Sequence, residues 1–141
     1  MSATAEAFYN VSPRKGLSIG VVPSESHGGH GFATKPGYPN QWVEITIRSP
    51  LGVYSGNPQE MSRNHINILT SDVIVALPGN RGTKNEVSLA IAFMKPAILL
   101  GPADCFSDFP TDLPRAHDAA TACEFIERHA SWPVADTAQK S

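Results

Sequence analysis

Four stretches of the chain carry strand patterns. Leu17 to Val22 is short, mostly apolar and closed by Pro23, while Trp42 to Ile47 sets Val43, Ile45 and Ile47 at alternate positions. Asp72 to Leu77 (DVIVAL) and Ala97 to Leu100 (AILL) are continuous apolar runs closed by Pro78-Gly79 and Gly101-Pro102. Unbroken runs of this kind suit strands covered on both faces, which places the second pair inside a parallel sheet.

Between these runs the period changes to that of a helix. Asn57, Pro58 and Glu60 have the spacing of an N-cap, a first helical residue and a capping-box partner, and Met61, His65, Ile68 and Leu69 follow at helical intervals, so a helix is predicted over about 58–69. Thr83 and Glu86 repeat the capping-box spacing ahead of Val87, Ala90, Ile91 and Met94, a second helix stopped by Lys95-Pro96. A third stripe runs from about Pro114 through Ala116, Ala119, Ala120, Cys123, Ile126 and Ala130 to Trp132-Pro133. Ala3 to Tyr9 reads as the last turns of another helix.

Alternating strands and helices predict an α/β fold, a Rossmann-like three-layer domain with a mainly parallel sheet. The expected organisation is one domain over 1–133 and a frayed polar tail over 134–141. Pro23 to Gln41 is expected to be a long loop, and one of that length suggests a functional role. No internal repeat or low-complexity tract interrupts the pattern.

Composition narrows the function. The 141 residues include 13 Asp and Glu against 11 Lys and Arg, with no block of basic residues, so a general nucleic-acid binder is not expected. The longest apolar run, Leu89 to Met94, is far shorter than the roughly 20 residues of a membrane-spanning helix, and no membrane partner is expected. Cys105 and Cys123 have no metal-ligand spacing, and two thiols in a chain without a signal peptide suit a reducing, cytoplasmic compartment. A small-molecule partner is the expectation, with no metal and no resident cofactor.

The segment with the most chemical content is Pro78-Gly79-Asn80-Arg81-Gly82-Thr83-Lys84-Asn85-Glu86, between a buried strand and a helix. Gly79 and Gly82 let the chain turn sharply and bring backbone N–H groups near a ligand, and the positive helix end favours an anion such as phosphate. A Gly-rich turn also serves simply to connect strand to helix, and Glu86 also reads as a capping carboxylate that needs no ligand.

Residues 61–101 resemble the lysine-decarboxylase-like family that includes the cytokinin-activating Lonely Guy phosphoribohydrolases. That family carries an Arg on a helix, a Ser-Asp pair opening a buried strand, and Pro-Gly-Gly-x-Gly-Thr-x-x-Glu. Arg63, Ser71-Asp72 and Pro78 to Glu86 match it here, with the same Arg-to-Glu separation. Met61-Ser62-Arg63-Asn64 and the Lys95-Pro96 stop look closer still to the family's bacterial branch known only by its fold, and to the related molybdenum-cofactor carriers. Asn80 departs from the motif, replacing its second glycine, a change that a left-handed backbone would accommodate. Ala3 to Val22 resembles the middle of family members, so their first strands and upstream phosphate loops are not expected within these residues.

The resemblance implies that Glu86 faces a ribose and stabilises the charge that develops as an N-glycosidic bond breaks, with Arg63 across the pocket. Pro78, Gly79, Asn80, Arg81, Gly82 and Thr83 would hold the phosphate. The implied activity is hydrolysis of a nucleoside 5'-monophosphate to base and ribose 5-phosphate. The alternative is non-catalytic binding of a nucleotide or molybdenum cofactor, and Arg63 also reads as a solvated helix residue. A homo-oligomer with the Arg63 helix near its interface is expected. His27 and His30 supply too few ligands for a metal, and their glycine-rich loop reads better as a lid bearing Tyr38 or Trp42. His65 is expected to be packed, His117 and His129 to lie on a helix surface, and Cys105 to follow a strand end where ligands often bind.

Overall fold

The structure, a computed structural model, describes residues 2–25, 33–57 and 60–130. The His27 to Gly31 loop, the helix start expected at Pro58, and the chain from Ser131 onward, with the Trp132-Pro133 stop and the 134–141 tail, lie outside the described residues. The chain forms two compact units, Met1–Leu69 and Thr70–Ser141.

The first unit contains α1 (Ser2–Tyr9), β1 (Ile19–Val22), β2 (Ser24–Glu25), β3 (Ala33–Thr34), β4 (Ile45–Arg48) and α2 (Arg63–Leu69). β1 and β4 are parallel, with Ile19 opposite Ile45 and Val22 opposite Arg48. Glu44 anchors the start of this register: its carboxylate accepts from the Ser18 N–H at 2.9 Å and from Arg14 Nη2 at 2.8 Å, and its own N–H donates to the Ser18 carbonyl. The Arg14 hydrogen bonds, then the Ser18 N–H, lower the Glu44 pKa to about 2. The Arg14 guanidinium also lies over Tyr9, 5.0 Å from the ring centroid.

Three expectations are corrected in this unit. Val43 precedes the strand rather than alternating within it, and it fills the space over Gly20, where a Cβ would stand 3.0 Å from Val43 Cγ1. The expected loop contains β2 and β3, which pair antiparallel. The helix expected from Pro58 begins only at Arg63. The Asn57–Glu60 signal is real but serves a turn: Glu60 accepts from Ser55 Oγ at 2.8 Å and from Asn57 Nδ2 at 3.1 Å. Such local hydrogen bonds compete with helix formation.

The second unit contains β5 (Ile74–Ala76), α3 (Arg81–Ala92), β6 (Ala97–Leu100), a 3-10 turn at Ala103–Phe106, β7 (Arg115–Ala116) and α4 (Ala119–His129). The strands form a parallel sheet in the order β5-β6-β7. β6 is central and almost wholly buried, as its apolar run predicts; β5, expected inside the sheet on the same pattern, is instead at the edge of the three described strands and only partly covered. Alternation along β6 separates two cores. Leu99 packs with Ala76, Val87 of α3, Phe106 and Phe109, whereas Ile98 packs with Ala116 and with Ala122 and Phe125 of α4. The helices therefore cover opposite faces of the sheet. Parallel strands with flanking helices make this an α/β fold, as the sequence pattern predicts.

The third helix is shorter than predicted. Arg115–Ala116 pairs with β6 as a strand, and α4 starts after Asp118, whose carboxylate caps the Thr121 N–H at 2.8 Å. Ala116 pairs with Leu100 of β6, and its side chain packs with Ile98 and with Ala122 and Phe125 of α4. Two residues carry too little pattern to announce a strand, and the alanine spacing continues into the helix.

Candidate functional site

The site in the second unit is built from two turns at one edge of the sheet. Because β5 and β6 are parallel, their carboxyl ends emerge together, and it is outside such ends that open α/β sheets bind ligands. Pro78-Gly79 follows β5, and Gly101 follows β6 with a φ of 142° that suits only glycine. A Cβ at Gly101 would stand 2.9 Å from Pro78 Cγ, so the two turns pack directly on each other.

Asn80, not Thr83, is the N-cap of α3. Its φ of −104° and ψ of −154° are extended rather than left-handed, and its Oδ1 accepts from the Gly82 N–H at 3.1 Å. The substitution for glycine is tolerated because asparagine is among the best N-caps. Thr83 thus lies inside the first turn, and its hydroxyl is directed at Gly79, where a Cβ would meet Thr83 Oγ1 at 2.0 Å. Gly79 must therefore be glycine for lack of space. Gly82 is a helical residue without a positive φ, and a Cβ there would meet only Asn80 Oδ1 at 3.6 Å, an ordinary contact.

A cavity of about 300 Å³ opens between the turns, bounded on one side by Gly79, Asn80, Arg81 and Lys84 and on the other by Cys105, Ser107, Asp108 and Phe109. Lys84 Nζ spans it to Asp108 Oδ2 at 2.6 Å and lies 5.9 Å from the centroid of Phe109. The Lys84 hydrogen bond holds the Asp108 carboxyl below its usual range. A cavity with two cationic side chains at a helix N-terminus can receive a small anion.

Of the residues expected to act, Gly79, Asn80 and Arg81 border the cavity, while Pro78, Gly82, Thr83 and Glu86 do not. Glu86 is half-buried within α3. Lys84, Ser107 and Asp108 were not expected from the sequence. The signal that finds them is topological, since the turn after β6 must share an edge with the motif turn after β5.

Arg63 belongs to the first unit. It is 9% exposed rather than solvated, within a buried polar run with Ser62, Asn64 and His65. Its Nη1 donates to the Val21 carbonyl at 3.2 Å, its guanidinium lies 5.5 Å from the Tyr38 ring centroid, and its Nε is buried without a hydrogen-bond partner. His65 is packed as expected, with Nδ1 accepting from the Ser62 N–H at 3.1 Å. His129 lies exposed on α4, whereas His117 precedes that helix. Among the described residues, no three of His, Cys, Asp and Glu come together to hold a metal, and no helix is long and apolar enough to cross a membrane.

The family model named SLOG cluster4 matches residues 1–129. The chain belongs to the SLOG cluster4 family. The family lies in the SLOG superfamily with the Lonely Guy and lysine-decarboxylase-like proteins, in keeping with the motif at Pro78 to Glu86. Among solved structures, this SLOG protein is similar to the molybdenum cofactor carrier protein of Chlamydomonas reinhardtii, with 29% identity and a TM-score of 0.52 over 80% of this chain. The chain spans 61% of that carrier's length. No curated protein matches it.

Proposed function

We propose that this SLOG cluster4 protein binds a small phosphorylated ligand, a nucleotide or a molybdenum cofactor, and holds it without transforming it. The observation that carries this reading is the cavity at the carboxyl edge of β5 and β6, with Arg81 and Lys84 at the start of α3. The likeness to a molybdenum cofactor carrier supports binding over turnover.

Calorimetric titration with AMP, ribose 5-phosphate and molybdenum cofactor tests the proposal. Saturable binding of at least one, with no product formed, is expected. Absence of heat with all three refutes it.

A second reading is hydrolysis of nucleoside 5'-monophosphates by Glu86 and Arg63. One observation favours it: the buried Arg63 has an Nε donor with no acceptor, as an anion-binding arginine has before its ligand arrives. Release of free base from a panel of nucleoside monophosphates, abolished by Glu86→Gln, would establish turnover. Release that persists in the variant would remove Glu86 from the chemistry.

A further inference from the structure

Among the described residues, β4 is paired on one side only. It joins β1 in a two-stranded parallel sheet, and all four of its residues are exposed. Such a pair is marginal by itself, and the β-branched Ile45, Thr46 and Ile47 suit a strand that has neighbours on both sides. The ladder fixes what the open edge presents. Ile45 and Ser49 direct their N–H groups at the Ser18 and Val22 carbonyls, so the alternate residues Thr46 and Arg48 turn their backbone groups away from β1. We propose that this edge binds a second copy of the chain, the two β4 strands pairing antiparallel about a twofold axis at Thr46.

A second copy is the occupant because the strand matches its own reverse. With Thr46 opposite the partner's Thr46, the two residues exchange N–H and carbonyl groups. Ile45 then faces the partner's Ile47 in a non-hydrogen-bonded pair, where side chains come closest, and Arg48 faces the partner's Glu44. The axis repeats each contact. Glu44 already binds Arg14, so the partner's Arg48 joins an existing ion pair, and in this solvated setting it sets register more than affinity. Other registers lose the match. A slip of one residue sets outward backbone groups against inward ones, a slip of two parts Arg48 from Glu44, and a slip of four toward the carboxyl end sets Arg48 against the partner's Arg48. The product is a four-stranded sheet, β1-β4-β4-β1, that carries Ile19, Ile45 and Ile47 of both copies on one face.

The test is sedimentation velocity of the full chain over a micromolar concentration series, joined to cross-linking. Wild type should show a monomer–dimer equilibrium. Thr46→Pro removes an N–H that β1 does not use, a position where an edge strand accepts proline, and should weaken the dimer at least about tenfold. Arg48→Glu sets like charges opposite each other twice and should weaken it about three- to tenfold, less at high salt. For the register, Thr46→Cys and Arg48→Cys are compared in a Cys105→Ser, Cys123→Ser background, which removes both free thiols. The first places two Cα atoms about 5.5 Å apart across the axis, within disulfide reach, and the second places them more than about 13 Å apart. Oxidation should therefore yield a covalent dimer with Thr46→Cys alone. A wild type that stays monomeric, a Thr46→Pro variant that keeps its urea midpoint and dimerises like wild type, or equal cross-linking at both positions overturns the interface. If Thr46→Pro does not fold, Arg48→Glu and the cross-linking pair decide: undiminished association of the first, or no preference for Thr46→Cys in the second, refutes the proposal.

Discussion

Replacing Gly79 by alanine tests whether the turn that forms the cavity wall is shaped by contact with Thr83. The added Cβ would stand 2.0 Å from Thr83 Oγ1, 2.9 Å from Thr83 Cβ and 3.4 Å from Thr83 Cγ2. Rotating Thr83 about χ1 moves its oxygen but not its Cβ, so part of the overlap is relieved only by shifting backbone. Overpacking of this kind costs about 1–3 kcal/mol, and about 2 kcal/mol is expected here because one contact yields to rotation and one does not. In a Thr83→Ala background only the 2.9 Å contact remains. The cost should then fall below about 1 kcal/mol, a coupling of at least about 1 kcal/mol between the two sites. Urea denaturation of the wild type, both single variants and the double variant, fitted for midpoint and slope, measures it. A Gly79→Ala cost within about 0.3 kcal/mol of zero, or the same in both backgrounds, would refute the steric argument.

Met94 follows the C-terminus of α3 at a φ of 53°, with its N–H donating to Ile91 and the Lys95 N–H donating to Ala90, so it occupies the left-handed position usually given to glycine. It is 90% exposed, and Met94→Gly should stabilise the protein by about 0.5–1 kcal/mol, the left-handed strain removed less the added freedom of the unfolded chain; an unchanged or lower urea midpoint would refute this. Glu44 has its pKa lowered from 4.5 to about 2, so its contribution to stability is complete above about 4.5 and is lost as the pH falls toward about 2. Glu44→Gln should flatten the melting temperature against pH over that range, and a profile identical to wild type would count against the Arg14–Glu44 anchor. Ile19, Ile45 and Ile47 share one face of β1 and β4 at 58%, 42% and 43% exposure, apolar surface that self-association would cover. Sedimentation velocity should therefore detect an oligomer at micromolar concentration, and a monomer alone would refute it.

One wall of the candidate cavity, Gly79, Asn80 and Arg81, was legible in the sequence, but for reasons that needed correction. The strand-to-helix turn at Pro78 to Glu86 announced itself through a buried run, two glycines and a helical stripe. Its glycines are not equivalent, however. Gly79 is required by the Thr83 side chain, which lies four residues on and reaches it only once the helix is wound, whereas Gly82 is an ordinary helical residue. The helix start was misplaced by three residues because Asn80 and Thr83 can both cap, and the choice depends on where β5 releases the chain.

The residues by themselves determined the α/β class, the burial of Ala97–Leu100 and the wider superfamily, since hydrophobic period and motif spacing are local properties that survive in the string of letters. Tertiary structure alone decided the far wall of the cavity and the state of Arg63. Ser107 and Asp108 share no pattern with Lys84, and they meet because parallel pairing of β5 and β6 brings two distant turns to one edge. The burial of Arg63 likewise follows from where α2 packs, and no property of an Arg-Asn-His string distinguishes a solvated helix face from a buried polar cluster. Sequence patterns report what each segment needs to bury, whereas pairing and packing decide which charged groups are then left facing one another.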